Sequence, residues 1–271
     1  MDHGLYTAYL GMRARQRALD VLANNIANAS TPGFKADRTL YRSIEAAERD
    51  AFASNGQPGR APQFQLASLG NRFTDDSLMS AHGRNVGLVT GTTADFSMGL
   101  LRQTGRSLDV ALDGDGFLVV QTPQGERYTR AGALKVNASG QLVTQQGDLV
   151  AGEDGPITLP PGEAVIGERG EISVGGETVG RLKLVRFDDP RTALLKQGDS
   201  LFVAIDPQRQ RPTPATSTRV LQHTLEMSNV DAVSEMAAMI QNSREFDSLQ
   251  RSITMLMNDL GRKVASEIGR I

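Results

Sequence analysis

Glycine and proline are spread very unevenly along this chain, and that distribution limits what it can fold into. From Ala215 to Leu260 there is neither residue, and before Pro32 only Gly4 and Gly11 occur. Glycine weakens helices through backbone entropy and proline through its missing N–H, so stretches without them are where long helices can form. Between Gly105 and Gly198 glycines recur every few residues and apolar residues alternate with polar ones, the pattern of short strands joined by tight turns. The expected class is therefore α+β. N- and C-terminal helices would make a discontinuous coiled-coil domain, and the middle a domain of short antiparallel strands. The boundaries read as 1–34 with 225–271 for the helical domain, 35–90 for an extended linker and 91–224 for the β-rich domain.

At the N-terminus Leu5, Tyr9, Met12, Leu19, Ala23 and Ile26 fall at alternating four- and three-residue steps, with Gln16 as a polar gap. That spacing predicts a heptad seam. Asn24, Asn25 and Asn28 weaken the helix, and Ser30-Thr31-Pro32-Gly33 ends it. Pro32 disfavours helical geometry at Thr31, and Gly33 permits a turn. Near the other end Ser228-Asn229-Val230-Asp231 reads as a capping signal for a second helix. Val233, Met236, Ile240, Phe246, Leu249, Ile253, Leu256, Leu260 and Val264 supply its apolar stripe, with a phase slip near Ser243.

Helices of about 24 and about 40 residues would span about 36 Å and about 60 Å. The shorter cannot cover the longer, and an apolar stripe left open marks a partner surface. Taken alone, the stripes fit two helices packed on the chain's own β core equally well; the length mismatch shifts the balance toward assembly. The expected interface is Leu5, Tyr9, Met12, Leu19 and Ile26 on the first helix, with Val233, Met236, Ile240, Phe246, Leu249, Ile253, Leu256 and Leu260 on the last.

In the middle, Leu108, Val110 and Leu112 alternate with Asp109, Ala111 and Asp113, Gly114-Asp115-Gly116 reads as a hairpin turn, and Phe117-Leu118-Val119-Val120 reads as a buried strand. Asn137-Ala138-Ser139-Gly140 predicts a hairpin turn, and Gly175-Gly176 is expected to separate Ile172-Ser173-Val174 from a strand at Leu182–Phe187.

Several chemistries find no support. The formal net charge is -2, from 29 basic and 31 acidic residues without a long single-sign block, so nucleic acid is not an expected partner. The chain contains no cysteine, which removes thiolate metal sites and cysteine nucleophiles. His3, His82 and His223 stand apart without metal-binding spacing. Asp113-Gly114-Asp115-Gly116 lacks the further oxygen ligands of a calcium loop, and Asp75-Asp76 and Asp188-Asp189 read as solvated turns rather than a glycosidase pair. No catalytic residue, cofactor or metal is expected. Asp2 and His3 stand where a secretory signal has its basic start, and no apolar run approaches the roughly 20 residues that cross a bilayer.

Leu22-Ala23-Asn24-Asn25-Ile26-Ala27-Asn28-Ala29-Ser30-Thr31-Pro32-Gly33-Phe34-Lys35 is similar to the signature NNxANxxTxGFK/R of the axial proteins of the bacterial flagellum, the rod and hook family. Asp95-Phe96-Ser97-Met98-Gly99, Gln103-Thr104-Gly105, the stretch Leu108 to Phe117 and Tyr128-Thr129-Arg130-Ala131-Gly132 resemble the start of that family's β domain. Leu225-Glu226-Met227-Ser228-Asn229-Val230-Asp231 and Met239 to Phe246 resemble its C-terminal signature. The motif residues carried by the resemblance are Asn24, Asn25, Asn28, Gly33, Phe34, Gly114, Gly116, Phe117, Ser228 and Asn229. The length suits rod rather than hook members, and Met1-Asp2-His3-Gly4-Leu5-Tyr6 looks more like proximal-rod than distal-rod members.

The resemblance implies a structural subunit of the basal-body rod, not an enzyme. It would assemble with copies of itself and other rod and hook axial proteins, its terminal helices lining the inner tube and its β domain forming the outer layer. It also implies passage through the flagellar type III export apparatus without a cleaved signal, a place in the periplasm-spanning rod, and no insertion into the membrane. A carbohydrate-binding or hydrolytic β-rich domain with helical extensions is the alternative, and converging carboxylates in a deep pocket would favour it.

Overall fold

A computed structural model describes residues 2–43, 88–208 and 210–268. The chain divides into two compact units: Met1–Ile26, Asp37–Thr93 and Ala232–Ile271 form one, and Ala27–Ala36 with Ala94–Asp231 the other. Most of the segment read above as a linker, Asp75-Asp76 and His82 included, lies outside the described residues. Its ends form the strands Asp37–Ser43 and Leu88–Ala94, which pair as a two-stranded sheet.

In the first unit the N-terminal helix covers Asp2–Ala27 and the C-terminal helix Ala232–Ile268. At 1.5 Å per residue they are about 39 Å and about 56 Å long. They run antiparallel. Arg15 donates from Nη1 to Asn242 Oδ1 at 3.0 Å and its Nη2 lies 2.6 Å from Glu245 Oε2. Leu249 Cδ1 is 3.9 Å from where a side chain on Gly11 would begin. Asn25 donates from Nδ2 to Glu235 Oε2 at 3.2 Å. This register sets Asp2 level with about Asn258, so roughly ten residues of the longer helix continue for about 15 Å past the shorter one. Asn25, 1% exposed, also ties in the first strand, accepting from Asp37 N–H at 2.9 Å and donating to Asp37 C=O at 2.8 Å. A residue read from sequence as weakening the helix thus replaces a strand partner for Asp37.

The second unit is built on an antiparallel sheet whose strands lie in the order Leu194–Gly198, Leu201–Ala204, Gly125–Thr129, Phe117–Thr122, Leu149–Gly152, Leu142–Thr144 and Leu134–Val136. Leu184–Arg186 also pairs with Phe117–Thr122. A three-stranded sheet, Ala164–Ile166, Glu171–Val174 and Glu177–Arg181, accompanies it. Arg219–Gln222 pairs with Val110–Asp113, and Thr224–Glu226 with Leu101–Gln103. The apolar run at Phe117 is explained by burial on both faces. Leu118 and Val120 join one core with Leu112, Leu142 and Ile172, while Phe117 and Val119 join another with Phe187 and Phe202.

The turn at Asn137–Gly140 forms as read, with Gly140 N–H on Asn137 C=O at 3.0 Å and φ +78° at Gly140. Two readings need correction. Gly175-Gly176 leads into Glu177–Arg181, which pairs with Glu171–Val174, and the strand that follows belongs to the larger sheet. Val110–Asp113 and Phe117–Thr122, though one glycine turn apart, pair with other strands, so Gly114-Asp115-Gly116 is a corner between sheets and not a hairpin. Asp109 also departs from the alternating pattern: it is 1% exposed and accepts from Arg106 Nη2 at 2.8 Å.

Phe202, fully buried, has ring centroids of Phe96 and Phe117 at 5.1 and 5.9 Å. Phe202→Ala removes that packing and is expected to cost about 3–5 kcal/mol. A guanidinium unfolding midpoint equal to wild type would show that this aromatic core carries no such weight.

Candidate functional site

Three charged side chains meet inside the second unit: Lys35 and Glu226 are fully buried and Arg130 is 5% exposed. Glu226 Oε1 accepts from Lys35 Nζ at 2.5 Å and from Gly99 N–H at 3.0 Å, and Oε2 accepts from Arg130 Nη1 at 3.1 Å. Carbonyls meet further donors, while the buried Arg130 Nε has no hydrogen-bond partner among the described residues. Lys35 Nζ reaches Ser97 O at 2.7 Å, and Arg130 Nη2 reaches Gly114 O at 2.6 Å. Arg130 also lies over the Phe117 ring, 5.4 Å from its centroid. Two cations face one carboxylate. Burial pushes the Lys35 ammonium below its ordinary value of 10.5, helped by the Arg130 charge and opposed by Glu226.

The backbone around this cluster is equally constrained. Gly33 N–H donates to Glu226 C=O at 2.8 Å with φ +69°, and a Cβ there would stand 2.3 Å from Ala131 N. Only glycine fits. A Cβ on Gly99 would stand 1.9 Å from Met227 O. Asn229 crosses between segments, accepting from Ala36 N–H at 2.7 Å and donating to Asp95 C=O at 2.8 Å and Ser97 Oγ at 2.9 Å. Its neighbour Ser228 accepts from Val230 N–H at 3.2 Å, so the serine supplies the local turn and the asparagine does not.

The motif residues therefore separate by role. Gly33, Phe34, Gly114, Phe117, Ser228 and Asn229 sit in or beside the charged cluster, with the Lys196 ammonium 3.5 Å above the Phe34 ring. Gly116 lets Thr218 approach, since a Cβ there would lie 2.9 Å from Thr218 Oγ1. Asn25 works in the helical unit, Asn24 is exposed, and Asn28 accepts from Thr31 Oγ1 at 3.2 Å after the helix end. Lys35, Arg130 and Glu226 fall in the stretches that carry the resemblance but had no role assigned to them, and a pairing across 191 residues leaves no local signal.

On the N-terminal helix the buried positions are Ala14, Ala18 and Asn25, on the face that carries Gly11. At 100° per residue the seam of Tyr9, Met12, Leu19, Ala23 and Ile26 is centred about 130° away from it. Tyr9 and Ala23 are exposed, and Met12, Leu19 and Ile26 are half-buried. On the C-terminal helix Phe246, Leu249 and Ile253 are half-buried, sharing the side of Asn242 and Glu245. Val233, Met236 and Ile240 are 76%, 50% and 57% exposed and are centred about 170° from the helix contact. The phase slip at Ser243 is thus a change of face: the continuous stripe read from sequence is two stripes on nearly opposite sides. The side chains of Leu5, Leu256 and Leu260 lie outside the described residues.

Two grooves mark the β-rich unit. One, of ≈ 340 Å³, has Glu153 as its carboxylate, beside Arg169 and Arg181; the other, of ≈ 360 Å³, is bordered by Leu108, Leu159 and prolines without a carboxylate. Neither holds the converging acids that the hydrolytic alternative requires. Asp113 is engaged by Arg219 at 2.7 Å, and Asp189 caps the short helix Pro190–Ala193. Among the described residues no group of three histidine or carboxylate side chains could hold a metal, and no helix is long and apolar enough to cross a membrane.

Three family models match the chain in order: "Flagella basal body rod protein" over residues 5–35, "Flagellar hook protein FlgE/F/G D1 domain" over 111–174 and "Flagellar basal body rod FlgEFG protein C-terminal" over 221–260. The chain is 34% identical over 274 residues to the flagellar basal-body rod protein FlgF of Caulobacter vibrioides, covering 100% of both chains. It is 37% identical to FlgF of Salmonella typhimurium, with 97% of each covered. A flagellar basal-body rod protein FlgG from Borreliella burgdorferi is 31% identical, with 96% of this chain and 97% of that one covered.

Removing one partner from a buried ion cluster strands the others, so Glu226→Gln is expected to destabilise the chain by about 3–5 kcal/mol. The Lys35 pKa is lowered on folding, so the native state binds its proton less tightly than the unfolded chain. The associated stability is fully present above about pH 10.5 and is lost as pH falls toward the lowered value. Denaturant titrations across that alkaline range should show wild type gaining stability relative to Lys35→Met; parallel curves would contradict the assignment.

Proposed function

The chain belongs to the flagellar basal-body rod protein family, and from that membership we propose that it is a structural rod subunit whose terminal helices carry assembly with neighbouring axial proteins. The observation that supports this most directly is that large apolar side chains on both helices point away from the helices' own contact. Met236 and Ile240 leave half or more of their surface uncovered within the chain, whereas burial against a neighbour is worth about 25 cal/mol per Å² of apolar surface. Of the interface residues expected from sequence, the proposal keeps Leu5, Tyr9, Met12, Leu19 and Ile26 with Val233, Met236, Ile240, Leu256 and Leu260. Phe246, Leu249 and Ile253 on this account hold the hairpin that presents the others.

The role is mechanical and not catalytic. Passage through the flagellar export apparatus without a cleaved signal accompanies it, as does residence in the periplasm-spanning rod. The proximal position is favoured by the greater identity to the FlgF relatives quoted above than to the FlgG one.

Ile240 is exposed in the isolated subunit, so Ile240→Asp is expected to leave its unfolding midpoint unchanged while abolishing incorporation into basal bodies and motility. Basal bodies that purify with the variant at wild-type occupancy would refute the assembly role of this face.

A further inference from the structure

The chain passes between its two units at 26/27, 36/37, 93/94 and 231/232, and every one of these crossings runs into one of three short segments of the β-rich unit, 33–36, 95–104 and 224–229. The three are bound to one another mainly through polar groups. Gly33, Lys35 and Gly99 meet Glu226, Met227 N–H donates to Leu100 C=O at 2.8 Å, Asn229 reaches Ala36, Asp95 and Ser97, and Leu101–Gln103 pairs with Thr224–Glu226. Phe34, Ala36 and Leu225 are buried here, yet none of them belongs to either apolar core; Phe96 packs against one. The neighbouring ladder differs, since Val110, Leu112 and Val220 are part of the core that holds Leu118 and Ile172.

Unusual backbone separates the two ladders at the same level on both strands. Between Gln222 and Thr224, His223 takes φ +58°, a left-handed conformation that L side chains adopt at a cost, and its buried Nδ1 has no hydrogen-bond partner among the described residues. On the facing strand Gly105 takes φ +77°, and Thr104 N–H donates to His223 C=O at 2.7 Å. We propose that segments 33–36, 95–104 and 224–229 form one latch, closed by the Glu226 cluster, that opens as a unit about His223 and Gly105 while the sheet stays folded. Few apolar contacts hold the latch to the sheet, so opening it costs less than tearing the core. The buried charges make the opening all or none, because a partly satisfied polar network is worse than either a complete one or a hydrated one. Closing the latch fixes the chain beside every crossing, and opening it releases all of them together. The device governs how firmly the connections to the helical unit are held, whichever faces those helices use in assembly.

Native-state hydrogen exchange on the full chain in low guanidinium tests this. The amides of Gly33, Gly99 and Met227 donate within the latch, and those of Val119 and Leu142 donate outside it, to the carbonyls of Lys183 and Ile157. The expected result is one shared opening free energy for the first three, lower than that of the last two. Glu226→Gln should bring the first three close to the exchange rate of an unfolded chain and leave Val119 and Leu142 protected. At Gly105 an added methyl meets open space and only the backbone conformation is unfavourable, so Gly105→Ala should accelerate the latch amides together, by about tenfold. Ile172→Val, in the core, should accelerate Val119 and Leu142 by about twofold to tenfold and leave the latch amides at the wild-type rate. Latch amides that exchange no faster than those of the sheet, that respond separately to Gly105→Ala, or that follow Ile172→Val would overturn the proposal, as would loss of protection at Val119 and Leu142 in Glu226→Gln.

Discussion

Glu226 is the residue on which the organisation of the β-rich unit turns. Its carbonyl holds Gly33, one carboxylate oxygen holds Lys35 and Gly99, and the other holds Arg130. Residues from three distant parts of the chain are fixed by one side chain and its backbone. An apolar core could not do this, because apolar contact has no directional preference and tolerates sliding. A buried carboxylate with named donors tolerates none, and the cost of desolvating three charges is offset only when every partner is in place. The close approaches at Gly33 and Gly99 follow: with the donors fixed, the backbone passes too near Ala131 and Met227 for a side chain. The two segments through which the chain leaves for its helices are consequently tied together, Ala36 against Asn229.

The helical unit solves a different problem with different chemistry. Its inner face uses small residues, Gly11, Ala14 and Ala18, which let the helices approach closely, and polar pairs from Arg15 and Asn25 that set the register. A half-exposed pair such as Arg15 with Glu245 contributes little energy, typically under about 1 kcal/mol. Its value is in choosing one alignment from the several that a smooth alanine face would accept. On the N-terminal helix, placing small residues inside leaves Tyr9 outside, while on the C-terminal helix Phe246, Leu249 and Ile253 stay on the inner side and Met236 and Ile240 face out.

The alternation of helix-permitting and turn-rich regions was legible because glycine and proline act locally. The hairpin at Asn137–Gly140 was legible for the same reason. What escaped was whatever depends on a distant partner. The strands on either side of Gly114-Asp115-Gly116 look like a hairpin because a tight turn separates two strand patterns, yet Val110–Asp113 finds its partner about a hundred residues later. Periodicity located the apolar positions of both helices but could not say which face binds which surface, so two stripes meeting near Ser243 read as one with a slip. Lys35, Arg130 and Glu226 were the hardest to see, since a charged residue gives no sign that it will be buried until its counter-charge is known.

The residues at the outward faces point to the kind of contact they make. Of the nine methionines, Met12, Met236, Met239, Met255 and Met257 lie on the terminal helices, and Met236, Met255 and Met257 are at least half exposed. Methionine is unbranched and polarisable and fills irregular surfaces without a fixed rotamer. Such a side chain specifies a partner poorly but accommodates several. Membership of the rod and hook family implies assembly with other axial proteins, so a surface used in it meets neighbours that are similar but not identical. Rigid β-branched or aromatic knobs would favour one neighbour at the expense of the rest. In this chain directional polar contacts are concentrated at Glu226 and Asn25, and adaptable side chains at the exposed methionines of the terminal helices.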